Sequence, residues 1–234
     1  MKLKTILKFV VFAIFISCGN DSNSEAFIEK ATGRYLYNSD EVIKIYFNKN
    51  ELLMEWRGAK SIKPLKVNET TFFVKEMNEK IQFLTNPEDQ KDYIALIPKE
   101  ENKPITFNFV KLEEHENIPS EYLRNNEFDK ALEGYLNIQQ NDSLDTTIEE
   151  SNFNKLGYKE LRDKNYENAI RFFEINVALY PNSSNVYDSL AEAFMKSGDT
   201  AKAITNYKKS LVIDSGNIRA KKNIEKLENP KSNN

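Results

Sequence analysis

One cysteine, one histidine and seven glycines in 234 residues leave little material for several kinds of chemistry. The glycines stand singly, so no glycine-rich loop is available to cradle a phosphate. His115 lies in the polar stretch Glu113 to Glu116. A metal site would need further ligands at helical or loop spacing, and a general base would need a nucleophile beside it, so a solvated linker histidine is expected. The longest apolar run, Phe9 to Ile16, is shorter than the roughly 20 residues that span a bilayer. No cofactor is implied.

The start of the chain reads as a processing signal. Lys2, Lys4 and Lys8 precede the apolar run, which ends at Ser17-Cys18 and is followed by the polar stretch Gly19 to Ser24. This pattern resembles the lipobox of bacterial lipoproteins, with Phe15 in place of the usual leucine. The resemblance implies a signal peptide over residues 1–17, cleavage before Cys18, acylation of its thiol, and a polar tether over 18–26. Acylation would leave no thiol for a disulfide, a metal or catalysis. It also implies a membrane-attached protein of the bacterial cell envelope, with the outer membrane as the expected site. With three lysines removed, 30 basic residues face 36 acidic ones, a net charge of −6 that disfavours nucleic acid as a partner.

The remaining 217 residues exceed one typical domain, and their periodicity changes partway. Residues 27–112 carry short alternating runs: Gly33 to Tyr37, Val42 to Phe47, Leu52 to Arg57, Ile62 to Val67, Thr71 to Lys75, Lys80 to Leu84, Tyr93 to Ile97 and Ile105 to Lys111. Clusters rich in Asn, Asp and Gly separate them, as chain reversals require. Eight strands in series predict an antiparallel, lipocalin-like β-barrel, with its aromatic residues as packing. The motifs Gly33-Arg34-Tyr35, Leu52 to Trp56, Lys63-Pro64-Leu65 and Lys80 to Phe83 resemble the small barrel that follows the catalytic domain in some β-lactamase-like serine hydrolases. In that family the barrel is an accessory or oligomerisation piece. Neither Ser-x-x-Lys nor Gly-x-Ser-x-Gly occurs, so the resemblance brings no nucleophile and the chain is expected not to be an enzyme.

Over residues 119–229 the period is helical, and the chain matches itself at an offset of 34. Phe153, Leu156, Gly157, Ala169, Phe173 and Pro181 fall opposite Tyr187, Leu190, Ala191, Ala203, Tyr207 and Ser215. This resembles the tetratricopeptide repeat, a helix hairpin in which Gly157, Ala169, Ala191 and Ala203 let backbones approach, while Phe153, Leu156, Phe173, Tyr187, Leu190 and Tyr207 fill the space between hairpins. Asn165 and Asp199 are placed to cap the second helices, and Gly198 suits the tight turn. An earlier copy runs through Tyr122, Phe128, Ala131 and Tyr135, with four residues inserted between Asn141 and Thr147. After Asn217, Ala220, Ile224 and Leu227 read as a solvating end helix, and residues 230–234 as a disordered tail.

The resemblance places the first helix of each hairpin on the concave side, where Asn154, Tyr158, Arg162, Asp188, Glu192 and Met195 face a groove. The chain is therefore expected to be a two-module α+β protein that binds a protein or peptide. Two alternatives stand beside this: an accessory or oligomerisation subunit of a separately encoded serine hydrolase, and a small-ligand carrier using the barrel interior. The Lys and Asn clamp that some tetratricopeptide proteins use for acidic peptides is not matched.

Overall fold

A computed structural model describes residues 22–100 and 102–229. The signal segment 1–17, Cys18 and the tail 230–234 lie outside the described residues. Two compact units are formed, one from residues up to Tyr35 with Ile43–Lys111, the other from Leu36–Val42 with Leu112 onward.

The first unit opens with a helix where the sequence predicted only tether and strand. Helix α1 (Glu25–Ala31) is capped by the Ser24 hydroxyl, which accepts from the Phe27 amide, and it buries Phe27 and Ala31. Strands β1 (Gly33–Asn38), β2 (Glu41–Asn48), β3 (Glu51–Trp56) and β4 (Ala59–Ile62) form one antiparallel sheet in that order. Lys49 and Asn50 have positive φ, as do Arg57 and Gly58. Each pair makes the two-residue reversal whose twist matches the flanking strands, pairing Asn48 with Glu51 and Trp56 with Ala59. A second sheet runs β5 (Leu65–Lys66), β6 (Thr71–Val74), β7 (Glu79–Thr85), β8 (Asp92–Leu96) and β9 (Thr106–Val110).

The predicted closed barrel is therefore wrong: there are two open antiparallel sheets of four and five strands. The run Ile62 to Val67, expected as one strand, is two strands that belong to different sheets. Lys63-Pro64 separates them, and a proline has no N–H for the ladder. At the other edges, an isolated antiparallel bridge joins Tyr35 of β1 to Lys111 after β9. The expectation that the aromatics pack is met at the centre: the Phe27 ring lies 5.5–6.0 Å from Phe47, Phe72 and Phe83, which come from β2, β6 and β7. Phe107 departs from it, being 38% exposed.

The second unit is helical. Helices α2 (Pro119–Arg124) and α3 (Phe128–Asn141) form a first hairpin, α4 (Glu150–Arg162) and α5 (Tyr166–Leu179) a second, α6 (Ser184–Ser197) and α7 (Thr200–Ile213) a third, and α8 (Ile218–Glu228) follows alone. Helices α4, α6 and α8 begin 34 residues apart, as do α5 and α7. Among the described residues, helix hairpins thus repeat at a 34-residue spacing and are followed by a single helix. The four-residue insertion holds a turn of 3₁₀ helix, Thr146–Ile148. Ala169, Ala191, Ala203 and Ala220 are completely buried in one core with Phe173, Leu190 and Tyr207. Phe153 sits in an adjoining core and meets Tyr135 edge to face at 4.9 Å.

Three expectations of repeat packing need correction, at Leu156, Pro181 and Tyr187. Leu156 is 39% exposed, because its repeat partner Leu190 has a full-length helix before it whereas α2, the corresponding helix ahead of Leu156, has six residues. Pro181 is exposed in the turn after α5, and Tyr187 is only half-buried, donating its hydroxyl to the Pro181 carbonyl. Asp199 caps α7 through the Lys202 amide and Gly198 has φ of +91°, as its turn position requires. Asn165 does not cap α5; its amide donates to Glu160 instead.

Candidate functional site

Helix periodicity puts residues four apart on one face, so Asn154 and Tyr158 share a face of α4, and Asp188 and Glu192 the equivalent face of α6. The 34-residue repeat aligns Asn154 with Asp188 and Tyr158 with Glu192. The structure brings three of these four together around a residue that the sequence did not single out, Arg219 in the first turn of α8. Its guanidinium donates from Nε to Asp188 Oδ2 at 2.5 Å, and Nη2 bonds the same oxygen. It donates from Nη1 to Glu192 Oε2 at 3.0 Å and from Nη2 to the Tyr158 hydroxyl at 3.4 Å. Tyr158 is further tied to the Ser189 hydroxyl at 3.2 Å and donates to Glu192 at 3.3 Å.

Burial differs sharply within this group. Asp188 is 4% exposed and its Oδ1 has no hydrogen-bond partner among the described residues, whereas the Arg219 side chain is 46% exposed. Asp188 is thus not the open groove residue expected. Burial alone would lower the Arg219 pKa, but hydrogen bonds to Tyr158 and Asp188 outweigh it, and the guanidinium is held cationic. Below, the Tyr207 phenol is pushed well above its ordinary range by burial and then by the Asp188 charge, and it accepts from the Asn223 amide at 2.8 Å.

The other expected groove residues divide. Arg162 is exposed and Met195 half-buried, with the Tyr207 hydroxyl 4.0 Å from its sulfur. Asn154 is turned into the hairpin, where its Oδ1 accepts from the buried Asn176 amide at 3.3 Å. His115 is exposed. Among the described residues no group of three or more His, Cys, Asp or Glu could hold a metal ion, and no helix is long and apolar enough to cross a membrane.

In the first unit two concavities measure about 450 and 310 Å³, the smaller lined in part by the buried Leu52 and Phe72. The larger is lined by residues of the β8–β9 connection such as Lys99, Glu100, Lys103 and Pro104, all exposed. Tyr35, Met54 and Phe72 fill the interior.

No family model matches the chain. Over 149 residues it is 25% identical to the "uncharacterized protein ycf37" of Cyanophora paradoxa, covering 64% of this chain and 87% of that one. Similar solved structures include the first tetratricopeptide domain of Spaghetti (RPAP3) bound to the HSP90 peptide SRMEEVD, with 17% identity, 48% of this chain and 86% of that one covered, and a TM-score of 0.34. Another is MamA, with 19% identity, 50% and 86% covered, and a TM-score of 0.35. The Yersinia enterocolitica secretion chaperone SycD in complex with a YopD peptide gives 13% identity, 48% and 88% covered, and a TM-score of 0.34.

Proposed function

We propose that this protein is a non-catalytic scaffold, held on the bacterial cell envelope by a lipid on Cys18, whose repeat face formed by α4, α6 and α8 binds a segment of another protein. The observation that carries the binding role is the meeting of Tyr158, Asp188, Glu192 and Arg219 from three successive repeat positions on one face. A folding scaffold alone is served by the buried alanines and aromatic residues, and it has no need of a charged cluster half open to water. The ring and hydroxyl of Tyr158 beside mixed charges offer both apolar area and hydrogen bonds to a peptide.

Capture from detergent-solubilised envelope, with the bound proteins identified by mass spectrometry, tests this reading. The variant Arg162→Ala/Glu192→Ala should stay folded with a modest fall in melting temperature, since Arg162 is exposed while Glu192 gives up its bonds to Arg219 and Tyr158, and should lose the proteins that the wild type retains. A variant that stays folded and retains them would remove the α4–α6–α8 face from consideration. A serine hydrolase among the lost proteins would make the chain its accessory subunit.

A further inference from the structure

We propose that the partner presents a basic side chain, an arginine or lysine in an extended segment, which takes the place of Arg219 between Asp188 and Glu192, so that α8 acts as a gate over its own binding face. This rests on the binding reading above and names the chemistry of the ligand.

The two repeats differ at the position that matters. In the α4–α5 hairpin the groove position is the neutral Asn154, satisfied from within by the Asn176 amide. One repeat on, Asn154 becomes Asp188 and Asn176 becomes Ser210. Ser210 is fully buried, and its hydroxyl receives the Asn217 amide at 3.0 Å. The internal donor is thus lost just where the groove position gains a charge. A carboxylate this deeply buried must be paired with a cation, and without one its burial is strongly unfavourable.

The cation present belongs to the last helix. Arg219 reaches Asp188 across 31 residues from a helix whose first residue, Ile218, is 65% exposed and which packs through the fully buried Ala220 and the partly buried Ile224 and Leu227. Among the described residues α8 packs chiefly against α7, and an element with few packed neighbours opens at low cost. The guanidinium, half exposed, is the layer that an incoming segment meets first. A partner without a positive charge would leave Asp188 unpaired on displacing it, whereas one with an arginine would restore each bond that Arg219 makes.

The full chain would be titrated with a fluorescein-labelled Ala/Ser decapeptide carrying two arginines, and with the same peptide carrying glutamates in their place. Arg219→Met should bind the arginine peptide at least ten-fold more tightly than the wild type and gain nothing for the glutamate peptide. Adding Asp188→Asn should abolish the gain. Equal gains for both peptides, or none for the arginine peptide, would overturn the proposal. Should Arg219→Met fail to fold, Arg219→Gln decides in the same way, because a glutamine keeps a hydrogen-bond donor but not the positive charge. Envelope proteins lost on Arg162→Ala/Glu192→Ala, with no arginine-peptide gain in the gate variants, would refute the basic ligand while leaving the binding face intact.

Discussion

Gly157 offers a test of the repeat packing in which two known effects oppose each other. A Cβ placed on it would lie 2.5 Å from Cε1 and 2.6 Å from Cζ of Phe173, against an ordinary carbon contact of about 3.5–4.0 Å. The ring has no room to yield outward: Phe173 is completely buried and held edge to face against Tyr158 at 5.2 Å. Overpacking of this kind costs about 1–3 kcal/mol. Gly157 is also in the middle of α4, where alanine is preferred over glycine by about 1 kcal/mol. The clash should win, leaving Gly157→Ala less stable by about 1 kcal/mol.

Thermal melts followed by far-ultraviolet circular dichroism would register this as a fall of several degrees, since 1 kcal/mol shifts the midpoint of a small domain by about 4–8 °C and of a larger one by about 2–4 °C. The decisive arm is a double-mutant cycle. With Phe173→Leu as background the ring atoms are gone, and Gly157→Ala should become neutral or stabilising as the helix preference is expressed. If Gly157→Ala raises the melting temperature on its own, Phe173 does not lie against Gly157 and the close approach of α4 and α5 is refuted.

Asp40, within the helical unit, accepts from the Ser120 amide at 2.6 Å and from the Tyr135 hydroxyl at 2.8 Å, yet burial outweighs both and raises its pKa. A carboxyl whose folded pKa exceeds its unfolded one aids folding while protonated, and that aid is lost as pH rises through the folded value. Asp40→Asn cannot ionise, so its melting temperature relative to wild type should improve steadily from about pH 4 to about pH 7; a flat or falling difference would refute the burial argument. The anchor is tested by metabolic labelling with a radioactive fatty acid: Cys18→Ser should abolish label and leave uncleaved precursor, and undiminished label would exclude acylation of that thiol.

The sheet half shows where alternation of apolar residues informs and where it misleads. The runs Thr71 to Lys75 and Lys80 to Leu84 come within one residue of the strands Thr71–Val74 and Glu79–Thr85, the second of which buries one face through Ile81 and Phe83. Pattern alone does not say which strands share a ladder. Between Ile62 and Val67 the apolar phase shifts at Pro64-Leu65 and Pro64 has no N–H for a ladder, which together were the available sign that this run would not be one strand. Helix α1 escaped notice because seven residues hold too few turns for a periodic signal. Its sign was Ser24 before Glu25, with Phe27 and Ala31 four apart.

In the helical half the self-match at 34 residues located α4 to α7, because each hairpin must bury the same stripe against the same neighbours, and the spacing of Ala220, Ile224 and Leu227 located α8. The same device hid the site. An offset of 34 pairs Tyr158 with Glu192, which do touch, but Arg219 stands 31 residues from Asp188 and crosses between repeats, so no comparison at the repeat length connects them. Reading α8 as a solvating helix also made its cations look interchangeable. They are not: Lys221, Lys222 and Lys226 are exposed ammonium groups, whereas Arg219 supplies the forked donor that one buried oxygen, a second carboxylate and a phenol can share. An arginine among lysines, in the first turn of α8 and opposite an acidic groove position, was the trace of the site in the sequence.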